Sequence, residues 1–302
     1  MPKVLITGGG GFIGKNVIPY LQSMNAELFF LGQKPYKEYD LPNARYIPCN
    51  LMDEVQVSKA LGEIQGSHLV HLAWSVTPSS YNLPENLEWV QASMHLLETF
   101  HKNGGKRILM AGSCYEYEWG NSYCHEDKTS LGGATLYGRS KNILWQYAKD
   151  YCQTHGMELA WARLFFLYGP HEKEVRLIPH VITSLLKGQT ATIRNGEVYR
   201  DYQNAKEAGN YLSKLVFHEF TGPINVCTGI PTKLAVLGKM AAEIIGYPEL
   251  LKIESPTEVP DRVLFGDPEK LNQVLGKNSK ENLKAGLEET IEWWKFHLKQ
   301  NV

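Results

Sequence analysis

"TGGGGFIG", residues 7–14, follows the apolar run "KVLI" and opens the segment "FIGKNVIPYLQSM". A short apolar run, a glycine-rich turn and then helical spacing read as strand, turn and helix. Gly8, Gly11 and Gly14 stand at the spacing G-x-x-G-x-x-G, with Thr7 in front. Glycine here permits a turn that a Cβ would obstruct, brings backbone N–H groups close to an anion and lets the helix approach the strand. That is the construction of a pyrophosphate-binding turn. The stretch therefore predicts a dinucleotide site built from Thr7, Gly8, Gly11, Phe12, Ile13 and Gly14.

Beyond the turn, apolar runs alternate with helical segments. "ELFFLG" (27–32), "HLVHLAW" (68–74), "RILMAGS" (107–113) and "MELAWARLFFLYGP" (157–170) read as strands, the last as one continuous strand. Between them, "LEWVQASMHLLETFHKNGG" (87–105) and "YGRSKNILWQYAKDYCQTHG" (137–156) read as helices. Strands that are apolar throughout, without alternation, belong to parallel sheets covered on both faces. After Pro170 the chain becomes irregular and charged, with helices at 177–188, 232–246 and 283–298 and a late strand, "GPINVCTG". The expected organisation is a nucleotide-binding core at 1–170 and a smaller mixed α/β lobe at 171–302, with the strand near 223–228 returning to the first sheet.

Bulk composition excludes several classes. A net charge of -1 with no basic run gives no footprint for nucleic acid. No apolar stretch reaches the roughly 18 residues of a membrane span, and no leader pattern precedes "KVLITGG". Cys49, Cys114, Cys124, Cys152 and Cys227 are odd in number and widely spread, which argues against a disulfide framework or a metal site and for the cytoplasm.

The end of the second strand selects the dinucleotide, because NAD binders usually hold the ribose hydroxyls there with a carboxylate. "ELFFLGQKPY" instead offers Gln33 and Lys34, with no carboxylate until Glu38. An amide and an ammonium suit the 2′-phosphate of NADP, and NAD is the second choice. "YGRSK" at 137–141 sets a tyrosine and a lysine at i, i+4. On spacing alone it is either a proton-transfer pair or a polar patch on a solvated helix.

Taken in order, these motifs resemble the extended short-chain dehydrogenase/reductase family, in its nucleotide-sugar branch, nearly from end to end. "TGGGGFIG" is similar to that family's cofactor turn and "HLAW" (71–74) to its fourth-strand motif. "GSCYEY" (112–117) resembles the catalytic-serine segment, "YGRSK" the tyrosine–lysine turn and "RLFFLYGP" (163–170) the stretch beside nicotinamide and sugar. The resemblance implies a Rossmann-type doubly wound parallel sheet with a smaller substrate lobe, and Ser113, Tyr137 and Lys141 as catalytic residues. It further implies cofactor contacts at Gln33, Lys34, Asn50, Leu51, Leu72, Ala73, Trp74 and Leu164. Substrate contacts follow at Ser75, Ser113 and Phe166, with Arg200 of "RDY" and Arg262 gripping the nucleotide phosphates. Tyrosine ordinarily loses its proton near pH ~10, and Lys141 one turn away, together with the positive nicotinamide ring, is expected to lower that value. A homodimer through the helices near 84–103 and 137–156 is implied as well.

The chain also departs from the pattern. Members that are 4,6-dehydratases have an Asp-Glu pair after the catalytic hydroxyl residue, where this chain has Cys114 and Tyr115, so dehydration is disfavoured. Phe166 stands where many epimerases carry asparagine. Cys114 and His171 resemble a pair that lets some members epimerise before they reduce. The expectation is an NADP-dependent reductase or dehydrogenase acting on a nucleotide-diphosphate-linked sugar, foremost a 4-keto deoxysugar. The alternatives are an NAD-dependent 4-epimerase using the same triad and, from another class, a non-catalytic dinucleotide sensor.

Overall fold

A computed structural model describes residues 1–35, 41–77, 79–254, 262–276 and 282–300. Its strands up to the end of the Tyr–Lys helix are β1 (Lys3–Thr7), β2 (Glu27–Gly32), β3 (Ala44–Pro48), β4 (His68–His71), β5 (Arg107–Ser113) and β6 (Tyr123–Cys124). After it come β7 (Glu158–Leu164), β8 (Phe166–Tyr168), β9 (Ala191–Ile193), β10 (Tyr199–Asn204), β11 (Gly222–Val226), β12 (Pro231–Lys233), β13 (Leu251–Ile253) and β14 (Val263–Gly266). The helices are α1 (Phe12–Gln22), α2 (Glu54–Ile64), α3 (Glu85–Lys102), α4 (Leu136–Thr154) and α5 (Leu177–Leu186). Four more follow: α6 (Ala205–Phe217), α7 (Leu234–Ile245), α8 (Glu269–Leu275) and α9 (Leu283–Gln300).

Seven strands form a wholly parallel sheet in the order β11-β7-β5-β4-β1-β2-β3. Alternate residues feed opposite cores. Val4 and Ile6 of β1 face one side and Leu5 the other; Leu109 and Ala111 of β5 oppose Ile108 and Met110. Because both faces are covered, the strand interiors are mostly apolar on both sides, and the near-continuous apolar runs of the sequence follow. Val17 and Leu21 of α1 with Leu212 and Leu215 of α6 cover the first face. The second is covered by α2, α3 and α4 through Leu61, Leu96, Leu97 and Leu144. A Cβ at Gly209 of α6 would lie 2.0 Å from the Asn16 carbonyl oxygen, so glycine lets α1 and α6 touch backbone to backbone. The result is the Rossmann-type doubly wound α/β fold.

One expectation needs correction. Residues 157–170 are two strands: β7 ends at Leu164, the Phe165 amide bonds the Val226 carbonyl at 3.1 Å, and β8 then pairs with β10. The edge strand β11 stops at Val226, so the chain leaves the main sheet and finds its next partner in a second one. That second sheet runs β12-β10-β14-β6, with β8 also on β10. Beyond it, α5, α7 and α9 enclose a third core around Leu185, Ile193, Leu237, Leu287 and Trp294. Among the described residues no helix is long and apolar enough to cross a membrane.

Candidate active site

The strand ends of the main sheet open onto a cleft of about 1200 Å³ of atom-free space, open to solvent at its mouth. Its floor is the glycine turn. Gly8 has φ 74°, and a Cβ there would lie 2.6 Å from the Ala73 amide nitrogen; one at Gly14 would lie 2.4 Å from the Gly8 carbonyl oxygen. Both clashes are with backbone, which cannot swing aside. The residues fit a dinucleotide: the turn is stripped of side chains where a pyrophosphate would approach, and α1 begins at Phe12 with no side chain capping its first amides. Gly8→Ala is therefore expected to force about 1–3 kcal/mol of strain into the turn and to lower NAD(P) affinity at least roughly tenfold, measured by thermal stabilisation with added dinucleotide.

Gly8, Gly11, Phe12, Ile13, Gly14, Leu72, Trp74, Ser75 and Leu164 line the cleft, as do Ser113, Tyr137, Lys141 and Phe166. Thr7 does not. It is fully buried, its hydroxyl 2.7 Å from His71 Nδ1 and 3.5 Å from the Ala73 amide, so it ties β1 to the β4 loop. His71 reaches Ser93 Oγ at 2.8 Å through its other nitrogen, and burial drops its pKa to about 3, which keeps the ring neutral. Ala73 backs Gly8 with its amide. Gln33 donates to Asn50 Oδ1 at 2.9 Å, and Leu51 is buried beside them. Gln33 and the exposed Lys34, after β2, and Asn50 and Leu51, after β3, do not line the cleft. Glu38 lies outside the described residues.

Ser113 ends β5. Its hydroxyl accepts from the Tyr115 amide at 3.2 Å, and its own amide donates to Glu116 Oε1 at 2.7 Å. Glu116 is fully buried, paired with Arg163 at 2.7 Å, and accepts from Trp161 Nε1 at 3.0 and 3.1 Å. Thr135 caps α4 through the Gly138 amide at 3.1 Å, and the Tyr137 amide donates to the Tyr81 carbonyl at 2.8 Å. Between Tyr137 and the next turn sits Gly138, where a Cβ would fall 2.1 Å from the Tyr115 carbonyl oxygen. Glycine lets α4 lie directly on the serine turn, which sets Tyr137 beside Ser113 on the cleft wall.

The electrostatics correct one expectation. Burial raises the Tyr137 pKa above the usual tyrosine value, and the neighbouring Ser113 hydroxyl offsets only part of that. Lys141 does not counter it: its ammonium donates to the Ala111 carbonyl at 2.9 Å and lies 3.9 Å over the Trp74 ring, while burial brings its own pKa to about 7. Desolvation disfavours both charged forms, so neither the phenolate nor the ammonium is strongly held. Burial in this cleft thus favours the protonated form of Tyr137.

A second wall was not read from the sequence. Tyr81 stacks on Tyr115 at 4.8 Å, and both rings stand 5.7 Å from Tyr137. Arg176 donates to Tyr81 Oη at 2.9 Å and lies 3.8 Å from Glu172, and all of these line the cleft. The structure does not bring Cys114 and His171 together there: Cys114 lines the cleft, whereas His171, at φ 71°, packs its ring 4.9 Å from Trp293 of α9. Burial also pushes the Cys114 thiol up, away from reactivity. A signal for Glu172 existed in its position right after "YGPH", but a Glu–Arg pair at i, i+4 reads first as a solvated ion pair.

Arg200 and Arg262 stand outside the cleft. The Arg200 guanidinium lies 5.4 Å from the Trp119 ring and 5.6 Å from Phe166, at the rim. Arg262 is exposed and paired with Glu197 at 3.1 Å. Asp201 between them in sequence is fully buried and accepts from Thr228, Gly229 and Gly266, a tie between loops.

A glycine turn at a parallel strand end, with serine, tyrosine and lysine beside it, marks a dinucleotide-dependent enzyme. Residues 4–227 match the NAD dependent epimerase/dehydratase family, and the chain belongs to it, among the extended short-chain dehydrogenases/reductases. It is 26% identical over 319 residues to UDP-glucuronic acid decarboxylase 3 of Arabidopsis thaliana, covering 99% of this chain and 90% of that one. In structure it is similar to UDP-glucose 4-epimerase of Thermotoga maritima with UDP-glucose (TM-score 0.89, 22% identity, covering 98% of this chain and 99% of that one). It is also similar to dTDP-glucose 4,6-dehydratase of Bacillus anthracis in complex with NAD (TM-score 0.86, 19% identity, 99% and 98% covered).

Proposed function

We propose that this enzyme is an NADP-dependent reductase of a nucleotide-diphosphate-linked 4-keto deoxysugar. The observation that carries the reading is the placement of Tyr137: buried on the cleft wall beside Ser113 and Lys141, where burial favours the protonated phenol. A phenol that keeps its proton can give it to a carbonyl oxygen as that carbon is reduced. Ser113 would hold the same oxygen in line, and Lys141 would meet the nicotinamide ribose. When bound, the nicotinamide supplies the hydride. Gln33 and Lys34, with no carboxylate among the described residues at the end of β2, support NADP over NAD. Residues 1–170 with β11 form the dinucleotide part in this reading, and the rest of 171–302 the substrate lobe. Arg200 at the rim, and Arg262, whose backbone carbonyl accepts from the Arg200 guanidinium at 3.4 Å, are its candidate phosphate grips. All five cysteines are buried and unpaired, which agrees with action in the cytoplasm. Exposed Leu87 on α3 and Ile143 on α4 support a homodimer through those helices.

The test is the cofactor the purified protein holds and consumes. The expected result is no retained dinucleotide and steady oxidation of NADPH with a nucleotide-linked 4-keto sugar. Lys34→Ala should lose about tenfold of the preference for NADPH over NADH, the worth of one hydrogen bond to a charged group. Tightly retained NAD with no net consumption would instead establish a 4-epimerase, which the same serine, tyrosine and lysine can serve.

A further inference from the structure

Glu172 is the one acidic side chain on the cleft wall among the described residues. It is 7% exposed, and its Oε2 has no hydrogen-bond partner. The nearest cation, Arg176 Nε, stands 3.8 Å from the other oxygen, beyond hydrogen-bonding distance, and the guanidinium is already committed to Tyr81 Oη at 2.9 Å. A buried carboxylate that receives no hydrogen bond, with only a guanidinium 3.8 Å away to offset its charge, is unfavourable. A buried carboxylic acid with an idle O–H beside a polar cleft is a donor awaiting an acceptor. Rotation about the last side-chain bond is soft and exchanges the two oxygens, so the hydroxyl can turn toward the cleft.

We propose that Glu172 carries a proton in the resting enzyme and donates it in a hydrogen bond to a sugar oxygen, as a specificity-determining residue. The inference rests on the nucleotide-sugar reading above. Its geometry places the donor on the wall carrying Arg176 and Tyr81, and Tyr81 in turn packs 5.7 Å from Tyr137. The group therefore meets the sugar next to the reacting carbon. A sugar with an acceptor at that point is held; one without it leaves a buried hydroxyl unpaired and is rejected.

Burial raises the Glu172 pKa to about 8, with Arg176 opposing. The groups facing it are Arg176 and Lys173 on its own segment, Tyr202 on β10 and Tyr81 on the loop before α3, with Arg200 behind Tyr202. Burial raises Tyr202, and Tyr81 raises Arg176 further, so neither changes charge between pH ~6.5 and ~9.5. Lys141 does titrate in the same cleft, near 7. The pH effect must therefore be read as the difference between wild type and Glu172→Gln, which shares Lys141. Sign follows from linkage: the folded value lies above the unfolded one, so stability is full below the ordinary carboxyl range near 4.5 and falls as pH rises through about 8.

The experiment compares binding of UDP-glucose with UDP, dTDP-glucose with dTDP and CDP-glucose with CDP by calorimetry at pH ~6.5 and ~9.5, alongside melting temperature against pH. For the nucleotide that binds, the sugar is expected to add roughly tenfold in affinity to wild type at the lower pH. Most of that increment should vanish at the higher pH. Glu172→Gln, a neutral donor, should keep it at both values, and Glu172→Ala should lack it at both. The wild-type melting curve should fall relative to Glu172→Gln as pH rises from about 5 to 9. An increment intact in Glu172→Ala, an increment that grows with pH, or parallel melting profiles for wild type and Glu172→Gln would overturn the inference while leaving the reductase reading standing. A wild type that prefers no nucleotide sugar over its diphosphate would overturn both.

Discussion

Tyr137→Phe is expected to leave the fold and dinucleotide binding unchanged and to cut turnover by about 10²–10⁴-fold. The ring's packing is the reason the fold survives. Tyr137 meets Tyr81 and Tyr115 at 5.7 Å and Trp74 at 6.1 Å, contacts that a phenylalanine repeats. Only the hydroxyl goes, and with it the proton donor that the proposed function assigns to the reacting oxygen. Ser113 keeps its amide bond to Glu116 and so stays in place, which makes the loss one of proton transfer rather than of site geometry. The measurement is single-turnover reduction of a 4-keto sugar nucleotide, with dinucleotide binding measured in parallel. Turnover that persists undiminished would remove Tyr137 from the chemistry even though the fold stands. A proton held by burial also predicts little gain in the reduction rate from acidification below neutrality, since the donor is already loaded.

What the sequence made legible divides along physical lines. Backbone requirements were readable because only glycine satisfies them: Gly8 at φ 74° and Gly14 against the Gly8 carbonyl follow from spacing alone. Strand runs such as 107–113 were equally plain, since a sheet covered on both faces keeps the middle of each strand apolar on both sides. The direction in which a side chain points was not. Thr7 heads the turn in sequence, yet its hydroxyl looks inward to His71. His171 was singled out by residue type, but a left-handed backbone at that residue goes with a ring packed on Trp293, and its neighbour Glu172 faces the cleft. Helix α6 escaped because it begins inside a polar strand end, with Asn204 both closing β10 and capping the helix. The i, i+4 spacing of Tyr137 and Lys141 gave their shared place on the cleft wall but not their burial, because that depends on Trp74 and Ala111, which lie far away in the chain.

Glu116→Ala should be the most destabilising of the single substitutions considered, at about 3–5 kcal/mol. Three donors converge on that one carboxylate: the Arg163 guanidinium at 2.7 Å, Trp161 Nε1 and the Ser113 amide. Arg163 is fully buried, so truncating its partner strands a charge with no water to receive it. Its remaining contacts, to Tyr117 Oη at 3.2 Å and the Glu126 carbonyl at 3.5 Å, are neutral acceptors too weak to replace a carboxylate. A melting temperature lower by on the order of 10 °C is expected for a chain of this size. Turnover at permissive temperature should fall as well, because the Ser113 amide loses the bond that fixes the end of β5. Replacing both members with apolar residues of similar volume, Glu116→Leu with Arg163→Met, separates the two effects. The double variant should regain most of the stability, since buried ion pairs are often matched by packed hydrophobic groups, yet it should not regain the turnover. If Glu116→Ala melts within ~1 kcal/mol of wild type, the pair contributes nothing net and Ser113 is held by other means. If the double variant recovers activity along with stability, the carboxylate matters to the fold alone and has no part in aiming the serine.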